Sequence, residues 1–317
     1  MDSNRLISQE HGKIALVFPG GGSQYVGMGQ DVCERYPAAR RVLEEADGIL
    51  ALPLSQLCFA GPLEELTDTF NAQPATVATS AALLAALQER ADGRMAPAFV
   101  AGHSTGQYTA LLAAGALDLA SVLRIARERG RLMREAGDRR AGAMAAVLGL
   151  DTAALQVVCD ETGDVWISND NAPGQIVLSG EKQALERALQ LAKQRGAKRT
   201  IPLAVNIASH CPLMAPAAAG LAQIVETLPF AQASVPIVAN STALPLSEAQ
   251  AIRRELVQHL TSRVRWVESV RYMVDHGVRT FVEIGPKSVL SGLIQRIDGS
   301  VETINVGQAT DIEAVLG

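Results

Sequence analysis

Residues 97–117 read PAFVAGHSTGQYTALLAAGAL. A short apolar run climbs to Gly102-His103-Ser104-Thr105-Gly106, and the chain then continues as an amphipathic helix to about residue 114. Gly-x-Ser-x-Gly between a strand and a helix is the nucleophile elbow. The turn is so tight that the serine takes a strained backbone and its neighbours must be very small, as Gly102 and Gly106 are. The serine oxygen is thereby lifted into a cleft, beside main-chain N–H groups at the start of the helix that can stabilise an oxyanion. A Ser104 that merely caps the helix is the competing reading.

The elements on either side fit that frame. IALVF (14–18) reads as a buried strand running into a glycine-rich loop, PGGGSQ (19–24). Helical periodicity is predicted over 26–48 and 76–90, a strand at 99–102, and a helix over 118–136 that carries Arg124, Arg127, Arg129, Arg131 and Arg134. Strands alternating with long helices predict an α/β layer fold with a mostly parallel sheet. The middle changes character: strand 142–150, helix 151–162, strands 164–168 and 175–180, helix 181–196 and strand 197–205. That βαββαβ order predicts an inserted ferredoxin-like small domain over 138–205, leaving 1–137 and 206–317 as the large domain. Beyond it the pattern predicts helices at 212–228, 247–261 and 265–276, strands at 235–240 and 280–285, and a terminal helix at 287–296.

Composition narrows the partners. The net charge is −5, with no basic run suited to nucleic acid. No apolar window reaches the roughly 18 residues a membrane helix needs. Cys33, Cys58, Cys159 and Cys211 are scattered, without metal-ligand spacing, which favours reduced thiols in the cytoplasm. The first residues lack a signal-peptide core.

A serine needs a base near pH 7. Five histidines are available: His11, His103, His210, His259 and His276. His11 lies in a polar N-terminal stretch. His103 sits inside the elbow and is expected to turn away from the cleft, while His276 stands beside Gly277 at a helix end, where a cation suits the dipole. His210 lies in the loop VNIASHCPLM at the expected domain boundary, after the serine in chain order, as in hydrolase-like α/β folds. Position alone leaves it open between base and a capping or core role.

GHSTGQYTALLAAGAL, with FPGGGSQYVGMG before it and SHCPLM after it, resembles the malonyl-CoA:acyl carrier protein transacylases of fatty acid and polyketide synthesis. The resemblance extends through DTFNAQPA, RERGRLM, GAMAAVLGL, NDNAPGQIVLSG, VPIVANSTA, RVRW and VEIGPKSVLSGL, in the family's order. It implies a hydrolase-like three-layer α/β domain carrying a ferredoxin-like subdomain. It implies Ser104 as acyl-carrying nucleophile and His210 as general base and acid. His210 would be oriented by the main-chain carbonyl of His259, where relatives often carry glutamine; Asp170 would be the orienter of a full triad instead. It implies Arg129 as the fork that grips the free carboxylate of malonyl. It further implies Gly21 and Thr105 as main-chain oxyanion donors, and Gln73, Asn169, Asn171 and Ser209 as residues lining the substrate; for the two asparagines plain turn chemistry is the competing reading.

The chain departs from the family's common forms in PGGGSQ for PGQGSQ and in HSTGQ for HSLGE. Thr105 and Gln107 are therefore expected to reshape the acyl pocket. Ser209 occupies a position that tracks acyl choice, so methylmalonyl stands beside malonyl as a possible substrate. The partners implied are malonyl-CoA and an acyl carrier protein, with no metal or redox cofactor, no nucleic acid, no membrane, and a monomer. A hydrolase of the same fold, stripping acyl groups from carrier proteins, is the alternative activity, and a non-enzymatic scaffold is a third class that would predict a broken site.

Overall fold

A computed structural model describes residues 12–92 and 95–316. His11 lies outside the described residues. Among the described residues ten strands form two sheets: β1 (Lys13–Phe18), β2 (Phe99–Gly102), β3 (Gly142–Leu148), β4 (Val165–Ala172), β5 (Gln175–Glu181), β6 (Arg199–Pro202), β7 (Ile237–Val238), β8 (Pro245–Leu246), β9 (Val278–Ile284) and β10 (Glu302–Val306).

The first sheet has the order β10-β9-β1-β2-β7-β8 and is parallel except for the β7–β8 pair. The run IALVF alternates between its two faces. Leu16 and Phe18 join the core formed with helices Pro37–Leu50, Thr69–Ala91 and Leu119–Arg139. Ala15 and Val17 join the core formed with helices Trp266–Asp275 and Val289–Ile297. Burial on both faces explains why these strands read as continuous apolar runs. The second sheet, order β4-β5-β3-β6, is wholly antiparallel; helices Thr152–Thr162 and Lys182–Gln194 complete the βαββαβ unit. It is tied to the rest of the chain where Asp170 N–H donates to the Val264 carbonyl (2.9 Å) and Val264 N–H donates to that of Ser168 (2.8 Å).

Several expectations change. The helix predicted over 26–48 is two, Gln30–Arg35 and Pro37–Leu50, because Pro37 forces Tyr36 into an extended conformation. The elbow helix, Gly106–Ala113, is buried from Gly106 to Leu111 and is not amphipathic. The helix expected from 76 starts at Thr69, capped by Asp68, and carries Pro74 near its beginning. Only two residues of 235–240 and four of 197–205 form strand. Helices Leu54–Ala60 and Leu63–Thr67, strands β8 and β10, and helix Ala309–Leu316 were not anticipated. These are short elements with weak periodicity, held by packing rather than by local preference. Among the described residues no helix is long and apolar enough to cross a membrane.

Candidate active site

The site forms at the carboxyl edge of the parallel sheet, where ligands bind in open α/β folds. Phe18 and Gly102 are register partners at the ends of β1 and β2, so the glycine loop and the elbow leave the sheet side by side. The elbow glycines are there for steric reasons. A Cβ on Gly102 would lie 2.0 Å from the Gly106 carbonyl carbon, and one on Gly106 would lie 2.0 Å from the Phe18 oxygen. Ser104 itself takes φ +51°, the left-handed region that non-glycine residues occupy at a cost. The glycine loop presses on this turn: a Cβ on Gly20 would lie 2.3 Å from the His103 carbonyl oxygen. Gly21 follows Gly20 in the glycine loop, and Thr105 follows Ser104 in the elbow.

His210 meets the serine across 106 positions of sequence. Its Nε2 lies 2.8 Å from Ser104 Oγ, and its Nδ1 lies 2.7 Å from the carbonyl oxygen of His259. A carbonyl only accepts, so Nδ1 carries the proton and Nε2 presents a lone pair to the serine hydroxyl. The carbonyl is free because helix Ala249–Gln258 stops just before it. Asp170, the alternative orienter, instead accepts from Thr152 Oγ1 (3.0 Å). Burial, then the nearby Arg129 charge, pushes the His210 imidazole down to about 3, while the His259 carbonyl pulls the other way. The ring is therefore neutral at pH 7, the form a base needs. The His259 ring stacks on that of His210 with centroids 5.7 Å apart.

Arg129 is 2% exposed, alone among the six arginines of its helix in lying on the buried stripe with Val122, Ile125, Ala126 and Met133. Gly130 lets this helix close on the start of helix Thr69–Ala91: a Cβ there would sit 2.6 Å from the Thr69 oxygen. Arg129 Nη1 donates to Gln73 Oε1 (2.6 Å) and Thr105 Oγ1 (3.1 Å), and Nη2 donates to Ser104 Oγ (3.2 Å). All three acceptors are neutral. A buried guanidinium surrounded by neutral oxygens and reaching the serine has the donors to bind a carboxylate.

The remaining candidates divide. Gln73 and Thr105 are buried and bind Arg129 directly. Ser209 is buried beside His210. Asn171 Oδ1 takes the Nε2 of His103 (2.8 Å), so it braces the elbow through a neighbour of the serine. His103 turns edge-on to Trp266, consistent with a supporting role. Asn169 receives the Ser168 hydroxyl (2.8 Å) at the bridge to Val264. Gln107 is fully buried and faces Asn240, which holds the elbow. His276 Nδ1 bonds the Tyr272 carbonyl (2.7 Å) at its helix end.

Asn240 went unnominated as a site residue. Its Oδ1 accepts the Ser104 N–H (2.9 Å), and its Nδ2 donates to the Gly102 carbonyl (2.8 Å). The only trace of it in the sequence is an asparagine following a short β-branched run, which equally signals a turn.

A strained serine paired with a neutral, carbonyl-oriented histidine defines an acyl-transfer protein built on a hydrolase-like α/β scaffold. The acyl transferase domain family matches residues 15–310. The malonyl CoA-acyl carrier protein transacylase of Bacillus subtilis (strain 168) is 44% identical over 308 residues, covering 96% of each chain. That of Escherichia coli (strain K12) is 41% identical over 307 residues, covering 96% of this chain and 99% of the other. Among solved structures, the acyl-carrier-protein-S-malonyltransferase of Bartonella henselae superposes with a TM-score of 0.91 at 41% identity, covering 96% of this chain and 98% of that one. A malonyl-transacylase solved in complex with its type II polyketide synthase acyl-carrier protein gives 0.92 at 40% identity, with 96% and 99% covered. The chain belongs to the acyl transferase family, and within it to the malonyl-CoA:acyl carrier protein transacylases.

Proposed function

We propose that the protein moves malonyl from malonyl-CoA to the phosphopantetheine thiol of an acyl carrier protein, through a malonyl ester on Ser104. The observation that carries this reading is the placement of Arg129, buried among neutral oxygens with Nη2 3.2 Å from the Ser104 oxygen, while His210 Nε2 approaches the same oxygen at 2.8 Å. His210 takes the Ser104 proton as Oγ attacks the thioester carbon. The oxyanion rests on the main-chain N–H groups of Gly21 and Thr105. Collapse breaks the C–S bond, and the CoA thiolate leaves with the proton His210 held. The carrier thiol then gives its proton to His210 and attacks the ester, and Ser104 recovers its proton as the product departs. Throughout, the free carboxylate lies on the Arg129 fork, which Gln73 and Thr105 hold in place; Ser209 and the β4 residues Asn169 and Asn171 border the cleft.

Every group in this scheme comes from one chain, so a monomer suffices, and no step calls for a metal or redox cofactor. The relatives' names and the solved carrier complex support malonyl and an acyl carrier protein as the substrates. A cytoplasmic location is consistent with four free cysteines. Incubation with malonyl-CoA, with and without holo carrier protein, tests the scheme. Malonylated carrier is the expected main product. Free malonate as the main product in the presence of carrier would assign the protein to hydrolysis instead.

A further inference from the structure

Glu255 is a carboxylate that the proposed reaction does not use. It is 4% exposed, on helix Ala249–Gln258, and among the described residues no cation partners it. Its Oε1 accepts the Ser241 N–H (3.0 Å), its Oε2 accepts the Ser241 hydroxyl, and the backbone of Asn240 adds a further bond. A buried carboxylate without a cation is costly unless it is fully hydrogen-bonded. What these bonds fix is the turn 240–241 against the end of one helix. Both ends of that link reach the dyad. Asn240 holds the Ser104 N–H and the Gly102 carbonyl, bracketing the strained turn. The Glu255 carbonyl accepts the His259 N–H (2.8 Å), and the His259 carbonyl in turn orients His210.

We infer that Glu255 and Asn240 are positioning residues that set the Ser104–His210 distance from behind, one link holding both the nucleophile's backbone and the carbonyl that orients the base. A left-handed, non-glycine serine persists only where its surroundings over-determine it, and this link supplies that constraint. The inference rests on the proposed acyl transfer and makes the rate of Ser104 acylation its readout.

The molecule contains its own control. Glu283, also buried, accepts the Leu290 N–H (2.9 Å), the Ser291 N–H (2.7 Å) and the Ser291 hydroxyl (2.7 Å), and these side-chain bonds run to a helix start away from the dyad. Glu255→Gln and Glu283→Gln should therefore lower the melting temperature similarly, because each turns an amide NH2 towards N–H and O–H donors. Only Glu255→Gln should slow CoA release in the acylation burst, by about 10²-fold, since small misplacements of reacting groups have effects of that size. Its KM for malonyl-CoA should stay within about twofold, because the Arg129 receptor is untouched. Asn240→Ala should do the same, and the double variant should lose little more than the worse single one, as expected of residues in one network. Should Glu255→Gln not fold, Ser241→Ala, which removes one donor, should give a smaller loss, again in kcat alone. The inference is overturned if Glu255→Gln, or Ser241→Ala in its place, acylates at the wild-type rate. It is equally overturned if its loss matches that of Glu283→Gln, or if the losses multiply in the double variant. A wild-type protein that takes no malonyl would instead overturn the proposed function.

Discussion

Arg129→Ala is expected to erase the preference for malonyl over acetyl thioesters. In the wild type the guanidinium is fully buried and burial alone disfavours its charge. An acetyl group leaves that cation with the neutral oxygens of Gln73, Thr105 and Ser104, whereas malonyl supplies the anion it lacks. Removing one partner of a buried ion pair costs about 3–5 kcal/mol, so kcat/KM for malonyl-CoA should fall by about 10²–10⁴-fold. Acetyl-CoA should lose far less, because its acyl group never engaged the fork. Arg129→Lys should recover only part of the loss, since an ammonium is a point charge without the planar pair of donors. Competition between the two thioesters, read as the ratio of acyl adducts by intact mass, measures this. An unchanged ratio in Arg129→Ala would place the carboxylate elsewhere.

His210→Ala is expected to slow acylation by about 10⁴-fold, at the upper end for the loss of a general base. Its pH behaviour is equally specific. The His210 pKa is pushed down to about 3 by burial and by Arg129, so the neutral base persists well below the ordinary range for histidine. The rate of the free enzyme should therefore hold as pH falls through 6.5, a normal histidine pKa. Stability should behave otherwise. His103, His210 and His259 are all lowered by burial, so between their folded values and the unfolded value the unfolded chain binds more protons. Their contribution is complete above the unfolded pKa and is lost as pH falls towards the folded one. Melting temperature should thus decline with acidification before the rate per folded molecule does. A rate that titrates near 6.5 with an unchanged melting temperature would contradict this environment for His210.

The parts of the site that were legible in the sequence are those imposed by short-range sterics. Gly102 and Gly106 declare the elbow because a Cβ at either would strike main-chain atoms at 2.0 Å. The continuous apolar run IALVF and the βαββαβ order declare the two sheets. Apart from the family resemblance, His210 was legible only as a position, since the chain pattern places it in a boundary loop but does not bring it across 106 residues to the serine. Arg129 was selected by resemblance, yet a helical wheel also singles it out: it shares a stripe with Val122, Ile125, Ala126 and Met133, while Arg124 and Arg134 face solvent. Asn240 stands in the family-like stretch VPIVANSTA, but nothing local marks it or Glu255 as part of the site. One follows a two-residue strand and the other sits on an amphipathic helix, and each acquires its role only when distant segments meet. Gln107 shows the same limit, because its polar side chain at a helix start gives no hint that it is enclosed against Asn240.

The central claim is that one hydroxyl, on Ser104, carries the acyl group. Brief exposure to malonyl-CoA, acid quench, proteolysis and mass spectrometry of the peptides locate that group directly. The expected result is malonyl on Ser104 in the wild type and no adduct in Ser104→Ala. Malonyl on any other residue, or an adduct that persists in Ser104→Ala, would contradict it.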